Sequence, residues 1–205
     1  DRQRAVHVAN LVVAVRGEGA AELEHVAGAH VGHVASLHDE VGLDPVEGIE
    51  QATGLRLDLK WPNDVYVNGR KLGGILVEVP KNQPSRLVIG VGLNVHNSVQ
   101  DAPKELQSRM ISLCDLTELR FSRSQILARV LEQLRSDLSS LVFDLPKLAA
   151  RWRSLCFLTG RTVTLHDGVR TIAGACQGID DDGALRIYTE FGPQRCLGGS
   201  IQSYE

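Results

Sequence analysis

Two lysines flank the one stretch of this sequence whose residue types and spacing could do chemistry. Lys60 and Asp64 bracket a Trp61-Pro62 corner. Asn63 and Asp64 stand where short polar side chains bond to a turn's backbone or to a ligand. Lys71 follows an Asn68-Gly69 turn and precedes Gly73-Gly74. Paired glycines let a backbone or a ligand come close to a sheet. One lysine beside such a gap suits an anionic ligand, a carboxylate or a phosphate. Each piece alone has a plainer account. Lys60 and Lys71 read as solvated strand lysines, Gly73-Gly74 as a bulge, and Asn63-Asp64 as a turn and nothing more. Their order along the chain is what favours a site.

The elements that must position these residues lie on both sides. A short helix is expected over Val46–Thr53, with Val46, Ile49 and Ala52 on one face, Asp44-Pro45 as a break before it and Gly54 as its stop. Leu55, Leu57 and Leu59 alternate with Arg56, Asp58 and Lys60 as in a half-buried strand, which Pro62 ends. Val65-Tyr66-Val67, the Asn68-Gly69 turn and Ile75–Val79 make a hairpin, and Leu87–Val95 adds a third, mostly apolar strand. Ser122 and Gln125 fit a reciprocal cap before a helix carrying Ile126, Leu127, Val130, Leu131, Leu134, Leu138, Leu141 and Val142. Pro146 opens a further helix with Leu148, Ala149, Trp152 and Leu155 on its apolar side. After Gly160, strand pieces at Val163/Leu165, Ile172/Ala173 and Leu185/Ile187 alternate with tight turns, which predicts a small Greek-key or SH3-like barrel.

Composition narrows the classes. The chain has 205 residues, 43% apolar and 23% charged, with a net charge of −3. That suits one medium and one small unit of a globular protein and gives no basic field for nucleic acid or anionic lipid. The four cysteines, Cys114, Cys156, Cys176 and Cys196, form no Cys-x-x-Cys pair and read as reduced thiols of a cytoplasmic protein. No apolar run approaches the ~18 residues of a membrane span. The sequence begins with Asp1 rather than Met, as a fragment would. Residues 1–45 hold five of the seven histidines and keep no clean period. His25, His30, His33 and His38 lack metal-site spacing, and Asp180-Asp181-Asp182-Gly183 lacks the rest of a calcium loop, so both read as ordinary surface.

Lys60-Trp61-Pro62-Asn63-Asp64, then Arg70-Lys71-Leu72-Gly73-Gly74-Ile75-Leu76-Val77-Glu78, then Gly90-Val91-Gly92-Leu93-Asn94 resembles, in order, the catalytic core of biotin–protein ligases. The resemblance is specific over residues 55–95 and looser over 122–205. It implies an α+β fold with a mixed or antiparallel sheet and helices, a class II aminoacyl-tRNA-synthetase-like catalytic domain over residues 46–158 and an SH3-like barrel over 159–205. It also implies ATP-dependent ligation of biotin through biotinyl-AMP, with ATP and biotin as substrates and Mg2+ beside ATP. The acceptor would be a lysine on a biotin carboxyl carrier domain, and a homodimer is among the states such proteins adopt. Lys71 would act on the biotin carboxylate and acyl phosphate. Gly73 and Gly74 would line the biotin site, Asn63 and Asp64 would shape the nucleotide side, Asn94 would stand near adenine, and Trp61 would be among the residues that bind biotin or the adenylate. A lipoate-handling relative and a ligase-derived protein that only binds are the alternatives. The family's Ser-Thr-Asn-like segment and Gly-Arg-Gly-Arg-x-Gly loop have no counterpart upstream, where Arg16-Gly17-Glu18-Gly19 is a poor substitute. Residues 1–45 are therefore read as an atypical segment that leaves the catalytic domain incomplete, its activity impaired and its sheet open at an edge.

Overall fold

The computed structural model describes residues 10–15, 43–78, 87–140 and 145–205 of the chain. Helix α1 spans Leu43–Thr53 and buries Val46 and Ile49 completely. It starts earlier than expected. Pro45 lies in its first turn, where a missing N–H leaves no bond unmade, so Asp44-Pro45 begins the helix instead of breaking the chain. Gly54, at φ +70°, donates its N–H to the Glu50 carbonyl at 2.7 Å and closes the helix.

The first sheet is an antiparallel meander with one added strand. After β1 (Asn10–Val15), strands β2 (Asp58–Lys60), β3 (Asp64–Val67), β4 (Arg70–Glu78) and β5 (Leu87–Leu93) follow in sequence, and the order is β1-β5-β4-β3-β2. Asn68 and Gly69 take φ of +50° and +73° between β3 and β4, as the expected hairpin turn requires. Strand β1, Asn10–Val15, pairs antiparallel with β5 from Asn10 opposite Gly92 to Val15 opposite Leu87. Six residues of the atypical segment thus occupy the flank of β5, and β1 is itself an edge strand of this sheet. The four clustered histidines and Arg16–Gly19 lie outside the described residues, as do Val79, Leu141 and Val142.

One irregularity breaks the register between β3 and β4. Val65 lies opposite Gly73, but Tyr66 lies opposite Lys71, so Leu72 is an extra residue in β4. A bulge of this kind reverses the alternation of side chains on its two sides. Before it, Lys71 faces outward. After it, Gly74 and Leu76 face outward while Gly73, Ile75 and Val77 face the core. The bulge is held from outside the hairpin. Lys71 N–H donates to the Arg109 carbonyl and Ile111 N–H to the Lys71 carbonyl, both at 2.9 Å.

Helices cover the buried face. Short helices α2 (Lys104–Gln107) and α3 (Leu113–Leu116) lead to α4 (Arg123–Ser140) and α5 (Leu145–Leu155). Helix α4 buries Ile126, Val130 and Leu134 against α1. The crossing passes over Gly48, where a Cβ would meet the Val130 Cα at 2.6 Å. Ser122 caps α4 by accepting from Gln125 N–H at 3.4 Å, and its hydroxyl lies 2.8 Å from that of Ser124. Among the described residues, no helix is long and apolar enough to cross a membrane.

The second sheet is the C-terminal barrel. Strands β6 (Thr162–His166), β7 (Thr171–Ile179), β8 (Leu185–Thr189), β9 (Gly192–Cys196) and β10 (Ser200–Tyr204) pair in the order β10-β6-β7-β8-β9. Its last two strands carry no clear apolar alternation, which is why the sequence shows only the first three. The aspartates after β7 are paired with arginines, with Asp180 Oδ2 2.6 Å from Arg195 Nε and Asp182 Oδ2 2.5 Å from Arg195 Nη2.

The two sheets share one core. Phe157 N–H donates to the Leu59 carbonyl at 2.8 Å, and the buried indole N–H of Trp61 donates to the Gly183 carbonyl at 3.1 Å. Trp61→Phe keeps a flat apolar ring and leaves that carbonyl unpaired. It is expected to cost about 1–3 kcal/mol, measured as a lower urea midpoint at unchanged slope.

Candidate active site

The outward face of the first sheet gathers the charged residues at one end. Lys60 lies opposite Asp64 across β2 and β3, Asp64 opposite Gly74, and Tyr66 opposite Lys71. Asp64 forms an ion pair with Lys71 and places its other oxygen 3.8 Å from Lys60 Nζ. Arg109 adds a third cation, close enough that its charge is felt at both Lys60 and Tyr66. Three cations against one carboxylate leave this end of the sheet with positive charge to spare.

Burial governs how these groups titrate. It lowers the Lys60 ammonium below the ordinary lysine range, Asp64 draws it back up, and Lys71 and Arg109 push it down again. Burial also pushes the Tyr66 phenol up, with the nearby Tyr204 phenol adding to the effect. Asp64 holds the two ammonium groups together. Asp64→Asn leaves them facing one another and is expected to cost about 1–2 kcal/mol, read as a lower thermal midpoint that partly recovers in high salt.

Beyond the cations the same face turns apolar and low. Gly74 lies opposite Gly92, and Leu76 opposite Gly90. Val12 and Ala14 of β1 share register with Gly90 and Val88. The glycines keep this strip shallow. A Cβ on Gly74 would sit 3.5 Å from Asp64 Oδ1 and 3.8 Å from Lys71 Nζ, inside the space the ion pair borders. The arrangement can take a molecule with an apolar body and an anionic end, or hold two anions side by side.

The structure divides the residues singled out from sequence. Lys71, Asp64 and Gly74 meet on the outward face, with Lys60. Asn63 contributes its carbonyl, which accepts from Ile75 N–H at 2.8 Å at the rim of this face. Gly73 points the other way, and its hydrogen faces the Gly92 carbonyl in the core. Trp61 is buried in the core, so the structure sets it behind the site. Asn94 is buried too, its amide donating to the Ile111 carbonyl at 3.2 Å and accepting from Asn97 at 3.0 Å. It anchors the segment that carries Arg109. Sequence reading missed Arg109, Tyr66 and Tyr204. Tyr66 was legible by alternation with Asp64, whereas Arg109 and Tyr204 arrive from remote segments with no local signal. Among the described residues no group of three or more His, Cys, Asp or Glu could hold a metal ion.

Comparisons with known proteins show what the chain is similar to. Residues 14–94 match the Biotin/lipoate A/B protein ligase family, and residues 158–203 match the Biotin protein ligase C terminal domain. The chain is similar to the bifunctional ligase/repressor BirA of Bacillus subtilis, with 32% identity over 162 residues, 77% of this chain and 49% of that protein. It is similar to the biotin–[acetyl-CoA-carboxylase] ligase of Mycobacterium tuberculosis, with 37% identity over 144 residues, 70% of this chain and 52% of that protein. The chain thus spans about half the length of these relatives. Among solved structures it is similar to the biotin protein ligase of Aquifex aeolicus in complex with biotin and ATP. That match has a TM-score of 0.76 and 27% identity, and covers 96% of this chain and 77% of that one.

Proposed function

Since the chain belongs to the biotin protein ligase family, we propose that it joins biotin, by way of biotinyl-AMP, to a lysine of a biotin carboxyl carrier domain at the expense of ATP. The observation that carries this reading is the cluster of Lys60, Lys71 and Arg109 at the head of a glycine-floored apolar strip. The carboxylate of biotin and the α-phosphate of ATP are both anions and repel one another. Cations fixed between them relieve that repulsion and gain strength as charge builds in the transition state. The carboxylate oxygen attacks the α-phosphorus and pyrophosphate leaves. The carrier's lysine amine then attacks the acyl carbon and AMP leaves. No protein nucleophile is required in either step.

Lys71 is assigned to the reacting oxygens, where a compact point charge serves best. Gly74 and the strip beyond it take the apolar body of biotin. Asn63 and Asp64 border the nucleotide side. Gly73, Asn94 and Trp61 serve by holding the backbone that presents the others. Asp64 is already shared by two ammonium groups, so this cluster does not suit a resident metal. Mg2+ is expected to enter on the phosphates of ATP. We place the chemistry in residues 46–158 and the barrel in 159–205.

The match of residues 158–203 to a biotin protein ligase C-terminal domain favours biotin over lipoate. The test is transfer of each acid, with ATP and Mg2+, onto a biotin carboxyl carrier domain and onto a lipoyl domain. Biotin on the carrier alone supports the reading. Lipoate transfer, or biotin binding with no exchange of pyrophosphate into ATP, overturns it.

A further inference from the structure

The last strand of the barrel reaches into the site. Tyr204 of β10 meets the Phe157 ring edge-on at 5.4 Å, and its phenol is near enough to Tyr66 to help push the Tyr66 phenol up. Lys60 Nζ lies 5.5 Å from the centre of the Tyr66 ring and 5.6 Å from that of Tyr204. An ammonium within ~6 Å of an aromatic face is drawn to its negative charge. Asp64 Oδ2 stands on a further side at 3.8 Å, and the Lys60 side chain is only 12% exposed. Asp64, Tyr66 and Tyr204 thus fix one amine, and Tyr204 comes from the other sheet.

We propose that Tyr204 is a positioning residue of the active site, through which the barrel holds the Lys60 ammonium at the anion-binding end of the first sheet. This rests on the reading that the cluster binds the reacting anions of biotin and ATP. A free lysine samples many rotamers, and fixing one during the reaction would cost rate. A charge fixed before substrate arrives needs no reorganisation. Phe157 adds to the support, because it stacks between Tyr66, at 5.0 Å, and Tyr204. The charged groups facing Lys60 are Asp64, Lys71 and Arg109, with Tyr66 and Tyr204 as the titratable phenols.

Three variants of the full chain test this: Tyr204→Leu, Tyr204→Phe, and pentafluorophenylalanine placed at Tyr204, which keeps the ring's shape but reverses the charge of its face. The first readout uses no substrate. It is the acetylation rate of Lys60 by acetic anhydride, relative to exposed Lys104 in the same chain, followed by mass spectrometry. The second is biotin-dependent exchange of pyrophosphate into ATP, with kcat and KM separated. Tyr204→Leu is expected to raise Lys60 labelling about fivefold and to lower kcat about tenfold, with a smaller change in KM. Tyr204→Phe keeps the ring and is expected to recover both to within about twofold. The fluorinated ring is expected to reproduce the kcat loss in a chain packed as before, so the result stands even where Tyr204→Leu fails to fold. The proposal is overturned if Tyr204→Phe is as defective as Tyr204→Leu, or if the fluorinated ring leaves kcat unchanged. No exchange by the unaltered chain, with labelling still restored by Phe and raised by Leu, would sink the ligase reading and leave the positioning of Lys60 standing.

Discussion

Lys71→Ala is expected to lower biotin-dependent exchange of pyrophosphate into ATP by about 10²–10³, with the fold intact. The loss is large because Lys71 borders the glycine-floored strip, its Nζ 3.8 Å from where a Cβ on Gly74 would stand, and the proposed reaction needs a cation there. The fold survives because the bonds that hold this residue are made by its backbone, to Arg109 and Ile111, and alanine makes them equally well. Its side chain is 38% exposed, so little packing is lost. Lys71→Arg is expected to recover little, since a planar fork cannot replace a compact charge in the same space. An unchanged exchange rate in a folded Lys71→Ala chain would move the assignment to Lys60 or Arg109.

Neighbouring glycines are expected to fail in different ways. An alanine Cβ at Gly73 would stand 2.2 Å from the Gly92 carbonyl oxygen. That oxygen belongs to a paired strand and has nowhere to go, so Gly73→Ala should destabilise the chain by about 3 kcal/mol or more, at the upper end of overpacked cores. At Gly74 every neighbour of the new methyl lies 3.5 Å or farther away. Gly74→Ala should therefore keep its thermal midpoint within about 0.5 kcal/mol of stability. The methyl instead fills space beside Asp64 and Lys71, and KM for biotin should rise by about tenfold or more. The check is a pair of melting curves beside a pair of biotin titrations. Equal melting of the two variants would refute the division of faces drawn from the bulge.

That division is also where sequence reading ran out. The hairpin was legible because Asn68-Gly69 demands one turn type, and the end of α1 because Gly54 permits positive φ. The Lys60–Glu78 stretch and its pairing into a meander followed from simple alternation. Alternation itself then misled, because Gly73 and Gly74 read as one feature. The Leu72 bulge separates them, and it is held by residues 109–111, which no local pattern links to the hairpin. Trp61 shows the same limit. Its place in a charged motif suggests ligand contact, yet its N–H finds a carbonyl 122 residues away and the ring is buried. Strand β1 escaped notice because its partner, β5, lies far along the chain and the residues around it carry no period. Asn94 looked like a ligand contact for a similar reason. A buried amide with two internal partners cannot be told from a binding amide by its neighbours in sequence.

The extra residue at Leu72 also dictates which changes of length this strand can survive. Removing Leu72 would restore strict alternation with Lys71 and Gly74 both still outward, but it would take away a completely buried side chain and the carbonyl that accepts from Asn94 N–H at 3.0 Å. Keeping Leu72 but losing the bulge would turn Lys71 inward among Ile75 and Val77, because residues three apart in a regular strand face opposite sides. Descent with insertions and deletions can therefore vary the turn at Asn68-Gly69 far more freely than the few residues beyond it. In this protein, the spacing from Lys71 to Gly74 is as much a part of the binding face as the side chains themselves.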